Sequence, residues 1–114
     1  MDIAQGDIYW LDIRHPIGSE PGFRRPCVVV QNDSFNISRI NTVLVCPLTS
    51  TLQQAKVFSN VLLEPGEAGL SRRSVVVTSQ IITANKAECQ EYVGRLSAHR
   101  MREVIAGIHL VIEP

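Results

Sequence analysis

Apolar residues fall in short blocks separated by Pro, Gly, Asn and Asp. Six blocks have the β-branched enrichment and bounded length of strands. They are GDIYWLDI at 6–13, CVVVQ at 27–31, TVLVCPL at 42–48, SNVLL at 59–63, SVVVTSQIIT at 74–83 and EYVGRL at 91–96. The second hardly alternates, which predicts burial on both faces. LEPGEAGL at 63–70 predicts a turn, with Pro65 presetting φ and Gly66 and Gly69 permitting positive φ.

Only the C-terminal stretch has a helical period. Met101, Val104, Ile105, Ile108 and Val111 recur at intervals of three and four, and Ser97 stands where an N-cap is needed. Gly107 weakens the centre of this helix by up to about 1 kcal/mol relative to alanine. Many short strands followed by one helix predict a single mainly β (α+β) domain over 1–114. The expected architecture is a compact barrel or strongly bent sheet with the helix packed on it.

Composition narrows the function. The 114 residues suffice for one domain. No apolar run approaches the roughly 20 residues of a membrane span. MDIAQGDIYW lacks the basic start and apolar centre of a secretory signal, so a cytoplasmic location is expected. The net charge of zero argues against an indiscriminate polyanion binder. Of eleven basic residues only Lys56 and Lys86 are lysine. The arginines offer planar forks suited to local phosphate contacts. Cys27, Cys46 and Cys89 form no C-x-x-C pair, and Cys27 and Cys46 sit in apolar runs as expected of buried thiols.

Several chemistries lack their motifs. There is no G-x-x-x-x-G-K-S/T loop and no G-x-G-x-x-G after a strand. His15, His99 and His109 have no ligand spacing, and Asp7 and Asp12 are placed to face opposite sides of a strand. No metal and no cofactor are therefore expected. A nuclease on this chain would work with arginine, histidine, hydroxyls and backbone amides. RNA permits that, because its 2′-OH is an internal nucleophile beside the phosphorus. The protein need only align it, stabilise the phosphorane and manage two protons.

The chain resembles the MazF/PemK-type toxins of toxin–antitoxin systems. The resemblance rests on QGDIYW at 5–10, GSEPGFRRPCVVVQND at 18–33, VCPLTS at 45–50, SVVVTSQIIT at 74–83 and VGRL at 93–96. It implies an SH3-like small β-barrel with a C-terminal helix, the MazF/PemK/CcdB-like fold, assembled as a homodimer. It also implies a metal-independent endoribonuclease that cuts single-stranded RNA, mostly mRNA, at specific sequences. The implied products are a 2′,3′-cyclic phosphate and a 5′-OH. The implied partner is a small antitoxin whose acidic, extended tail occupies the RNA site.

Carried over by motif, the catalytic residues are Arg25, immediately before Pro26, and Thr49, at the end of the Pro-hydrophobic-Thr stretch. Pro26 biases Arg25 towards an extended backbone. Arg24 should point to the opposite face, as a solvated arginine. Ser19 and Glu20 are implied RNA contacts in a loop that folds over the substrate. Some relatives carry a proton-transferring His at the Ser19 position; Ser19 cannot act as that base near neutral pH, and His15 does not match the position. Ser50 joins Thr49 on the RNA side. Thr78, Ser79 and Gln80 match the stretch that reads base edges. Arg73 and Asn85 depart from the family pattern, where acidic residues are common. Two other readings remain. One is a same-fold toxin that poisons gyrase by protein binding, disfavoured because the only tryptophan, Trp10, lies far from the C-terminal helix. The other is an inactive SH3-like binding module.

Overall fold

A computed structural model describes residues 2–13 and 24–114. Seven antiparallel strands form one strongly curled sheet: β1 (Asp7–Asp12), β2 (Arg24–Val29), β3 (Thr42–Thr49), β4 (Val61–Leu63), β5 (Ser74–Val76), β6 (Ile82–Asn85) and β7 (Glu91–Arg95). The order is β4-β5-β3-β2-β1-β7, with β6 also paired to β3. A short helical turn, α1 (Asp33–Asn36), follows β2, and the long helix α2 (Ala98–Ile112) closes the chain. This half-barrel with one terminal helix is the mainly β architecture expected. The loop expected to contact RNA through Ser19 and Glu20 lies outside the described residues.

β3 explains the curl. Its first half pairs with β6 and its last two residues pair with β5 on the same edge, while β2 takes the other edge. The residues expected to form one strand at 74–83 are therefore two strands. The cause is Pro47. Its carbonyl accepts from Val77 N at 3.0 Å, but it has no N–H to return the bond. The Val77 carbonyl instead accepts from Gln80 N at 3.2 Å, closing a turn where a strand would otherwise continue.

Each face of the sheet carries its own core. Ile8, Val28, Leu48 and Leu63 pack beneath α2 with Met101, Val104 and Ile108. Tyr9, Leu11, Cys27, Val29, Val43, Val45 and Cys89 form the second core. Cys27, Val28 and Val29 are all fully buried, as the unalternating pattern required, although β2 begins earlier, at Arg24. Burial pushes the thiol pKa of Cys46 up to about 12 and that of Cys89 up to about 11, and Cys27 higher still. All three are therefore neutral, inert core groups near pH 7. The Q-N-D stretch after β2 is structural. Asn32 caps α1 by accepting from Ser34 N, and Asp33 accepts from Gln5 N at 2.7 Å, tying the N-terminal segment to the turn.

Ser97 caps α2, accepting from Arg100 N at 3.1 Å. Val111 does not join the buried face: it is 42% exposed, because the core beneath α2 ends at Ile108. Gly107 has a role that helix propensity misses. A Cβ there would stand 2.1 Å from the Ser59 carbonyl oxygen and 3.0 Å from the Thr78 methyl. The helix rests directly on that backbone.

Gly107→Ala is therefore expected to destabilise the fold by about 1–3 kcal/mol, despite alanine's better helix propensity. Denaturant unfolding checks this; a rise in midpoint would refute the contact.

Candidate active site

A cleft of about 610 Å³ opens where β1, β2, β3 and β5 converge under the 69–72 segment. Its wall includes Arg25, Thr49 and Ser50, so the fold joins three of the expected site residues, two of them 24 positions from the first or farther. The register explains how. Cys27 pairs with Pro47 and Val28 with Cys46. Carrying this register two residues further sets Arg25 across from Thr49. Arg25 is half-buried. Thr49 is only 2% exposed, on the inner wall, and its hydroxyl oxygen accepts from Thr51 N at 3.1 Å. A threonine hydroxyl is both an acceptor and an O–H donor.

Arg24 is not the detached surface residue expected. It is exposed but lines the same cleft, and ion pairs with Glu91 on β7 and with Asp12 on β1, the latter at 3.8 Å, hold it at the rim. Arg72 also lines the cleft, whereas Arg73 is turned away to Glu64, Nε to Oε1 2.9 Å. Trp10, on β1, completes this side of the wall. Trp10 is not among the residues that the motifs mark as a site. A usable signal was its position two residues after Ile8, the same face of a strand at the point where the core ends.

Thr78, Ser79 and Gln80 do not line the cleft. Thr78 is fully buried, its hydroxyl donating to the Ser59 carbonyl at 2.9 Å and its N–H to Asn60 Oδ1 at 3.0 Å. It fixes the loop under Gly107 and presents nothing for reading a base. Ser79 and Gln80 are exposed on the turn that Pro47 creates. The departure at Asn85 is accounted for locally: Asn85 caps the 3₁₀ turn Lys86–Glu88, its N–H donating to Glu88 Oε1 at 2.9 Å.

The far wall is held from behind by α2. Arg100 grips Glu67 with two bonds, Nε to Oε1 at 2.9 Å and Nη2 to Oε2 at 2.8 Å, and reaches Glu103 with Nη1 at 2.9 Å. Glu67 also accepts from Glu64 N at 2.7 Å. The Arg100 bond keeps the Glu67 carboxyl below the usual carboxylate range, and the same partners raise the Arg100 guanidinium further. In front of this clamp, Gly69 meets Gly94 and Val93 of β7 backbone to backbone. A Cβ on Gly94 would stand 2.1 Å from the Ala68 carbonyl oxygen. Gly69 and Ala68 both take positive φ there, 77° and 51°.

Three guanidinium groups and the hydroxyls of Thr49, Ser50, Ser71 and Ser74 thus line one cleft. Among the described residues no three His, Cys, Asp or Glu side chains cluster as a metal site. Such a wall suits a phosphate ester. The comparisons give the class. Residues 4–112 match the family described as PemK-like, MazF-like toxin of type II toxin-antitoxin system. The chain is 39% identical over 113 residues to a protein named Endoribonuclease MazF2 from Mycobacterium bovis, covering 99% of each. It is equally similar to Endoribonuclease MazF6 from Mycobacterium tuberculosis. A mycobacterial endoribonuclease solved with its cognate antitoxin shares the fold at a TM-score of 0.77 and 21% identity, over 98% of this chain and 97% of that one. MazF from Deinococcus radiodurans does so at 0.75 and 24%, over 100% and 99%. This chain belongs to the PemK/MazF toxin family.

The clamp gives a pH dependence. Glu67 titrates below the unfolded carboxylate value of about 4.3. Its contribution is full above that value and lost as pH falls through the lower folded one. Arg100→Ala is expected to cost about 1 kcal/mol at neutral pH. Thermal unfolding of both proteins should show the gap narrowing below pH 4; a gap independent of pH would contradict the pair.

Proposed function

We propose that this MazF-type endoribonuclease toxin cuts single-stranded RNA without a metal, by attack of the ribose 2′-oxygen on the adjacent phosphorus. The observation that carries this is the convergence of Arg25 and Thr49 on one cleft from neighbouring strands. As the 2′-oxygen bonds to phosphorus, a second negative charge builds on the non-bridging oxygens. The Arg25 guanidinium offsets it, and the Thr49 hydroxyl donates to the same phosphoryl group. The 2′-OH gives up its proton to solvent as it attacks, and the bond to the 5′-oxygen breaks as that oxygen takes up a proton from solvent, leaving a 2′,3′-cyclic phosphate and a 5′-OH. Ser50 borders the cleft as an RNA contact. Ser19 and Glu20 complete the reading as contacts from the loop before Arg24. Ser79 and Gln80 extend it as base contacts beyond the cleft.

The partner reading follows from the same wall. A cleft that recognises a phosphate chain also suits an extended acidic peptide, and the structural relative was solved with its cognate antitoxin. An antitoxin tail held by these arginines would exclude RNA by occupancy. The assembly is read as a homodimer acting on mRNA in the cytoplasm. The described helices supply no membrane crossing, since none is long and apolar enough.

Two measurements test the reading. Purified protein should cleave a long RNA in excess EDTA, spare a substrate 2′-O-methylated at the cut, and lose about 10²–10³-fold in kcat/KM on Arg25→Ala. Activity that vanishes with EDTA would refute the metal-free route. Arg72→Ala should weaken RNA binding and reduce the salt slope by about 0.7, one single-strand phosphate contact, while Arg73→Ala leaves both unchanged. Equal effects of the two would remove Arg72 from the site.

A further inference from the structure

We propose that Trp10 is a base-stacking platform for the nucleotide next to the cut, which makes it a substrate-binding residue of the cleft. The inference rests on the ribonuclease reading and names where a base, as distinct from a phosphate, is held. Among the described residues Trp10 is the only aromatic side chain on the cleft wall, and it remains 39% exposed although Asp7, Ile8, Tyr9 and Leu11 of its strand are buried. Ile8, two residues earlier on the same face, is fully buried. The indole therefore stands where the core ends and the cleft begins.

Its surroundings favour a flat, uncharged ligand. The cross-strand neighbours of Trp10 are Pro26 on β2 and Glu91 on β7. Glu91 and Asp12 both pair with Arg24, the cation at this end of the cleft. With two carboxylates balancing one guanidinium, this end repels a phosphate more than it attracts one. Among the described residues Arg72, across the cleft, has no such carboxylate partner, and the mechanism places a phosphate at Arg25. A nucleotide seated with its phosphate on Arg25 and Thr49 then has its base directed towards the indole. An aromatic face is a general platform for an unpaired base, since every base offers a π-face. Strand pairing on both edges of β1 holds the Trp10 backbone in place, so little ordering is needed on binding.

Trp10 is also the only tryptophan in the chain, so intrinsic fluorescence reports on this position alone. The probe is an RNA oligonucleotide spanning a cut site mapped on long RNA, 2′-O-methylated at the cut to prevent turnover. It should quench Trp10 emission saturably. The same oligonucleotide made abasic at one position flanking the cut should bind with little quenching, and inorganic phosphate should cause none. Trp10→Ala should raise KM by about 5- to 150-fold, the range of losing one stacked base, with kcat within about twofold. Trp10→Phe should recover much of that loss. If Trp10→Ala does not fold, the quenching of the wild-type protein and the KM of Trp10→Phe decide. Wild-type cleavage combined with no quenching, or with an unchanged KM in Trp10→Ala, would overturn the inference and leave the ribonuclease reading standing. A wild-type protein that cleaves no RNA would overturn both.

Discussion

The missing N–H of Pro47 organises the sheet. A residue with a donor there would exchange both bonds with Val77, and the edge strand would run on. Because only the carbonyl bond forms, Val77 turns to Gln80, and the edge of β3 is shared between β6 and β5. That division curls the sheet. It lets β3 deliver Thr49 beyond its partner β6 to a place where β2, β5 and the 69–72 segment meet. The cleft opens at this end of β3, past the last residue paired with β6.

The opposite wall depends on close backbone approaches secured by charge. Gly69 and Gly94 allow the 3₁₀ turn Glu67–Gly69 to lie against β7, and Arg100 holds that turn to α2 through Glu67. Gly107 in turn lets α2 settle on Ser59. Helix, loop and strand are thus joined by contacts that leave no room for a side chain. Substitutions well away from the cleft are transmitted to its wall through packed backbone. The electrostatics are divided along the same lines: Arg24, Arg73, Arg95 and Arg100 are engaged by carboxylates in the framework. A net charge of zero therefore coexists with a locally basic cleft.

Much of this was legible in the sequence for physical reasons that are local. Val and Ile runs bounded by turn residues gave the strands, and the three-and-four spacing with Ser97 gave α2. The fully buried β2 followed from its lack of alternation. Arg25 and Thr49 were legible through motif resemblance, and the fold brings them to one wall. The division of 74–83 was missed although its cause, Pro47, was in view, because the missing donor matters only once the partner strand is known. Thr78 was read as a base contact from its motif, yet tertiary packing turns its hydroxyl to Ser59. Nothing in the local pattern specifies that direction.

The sequence by itself determined the main strands and the C-terminal helix, the two buried faces of β2, the buried thiols Cys27 and Cys46, and the family. These depend on periodicity, burial propensity and ordered motifs along the chain. Only the tertiary structure decided that Arg24 and Arg25 both line the cleft, Arg24 held at its rim by Glu91 and Asp12, and that of Arg72 and Arg73 the first borders the cleft while the second turns to Glu64. It alone placed Trp10 on that wall and gave Gly107 its purpose. The reason is that ion pairing, exposure and steric clearance are set by groups dozens of residues away, which the chain brings together only by folding.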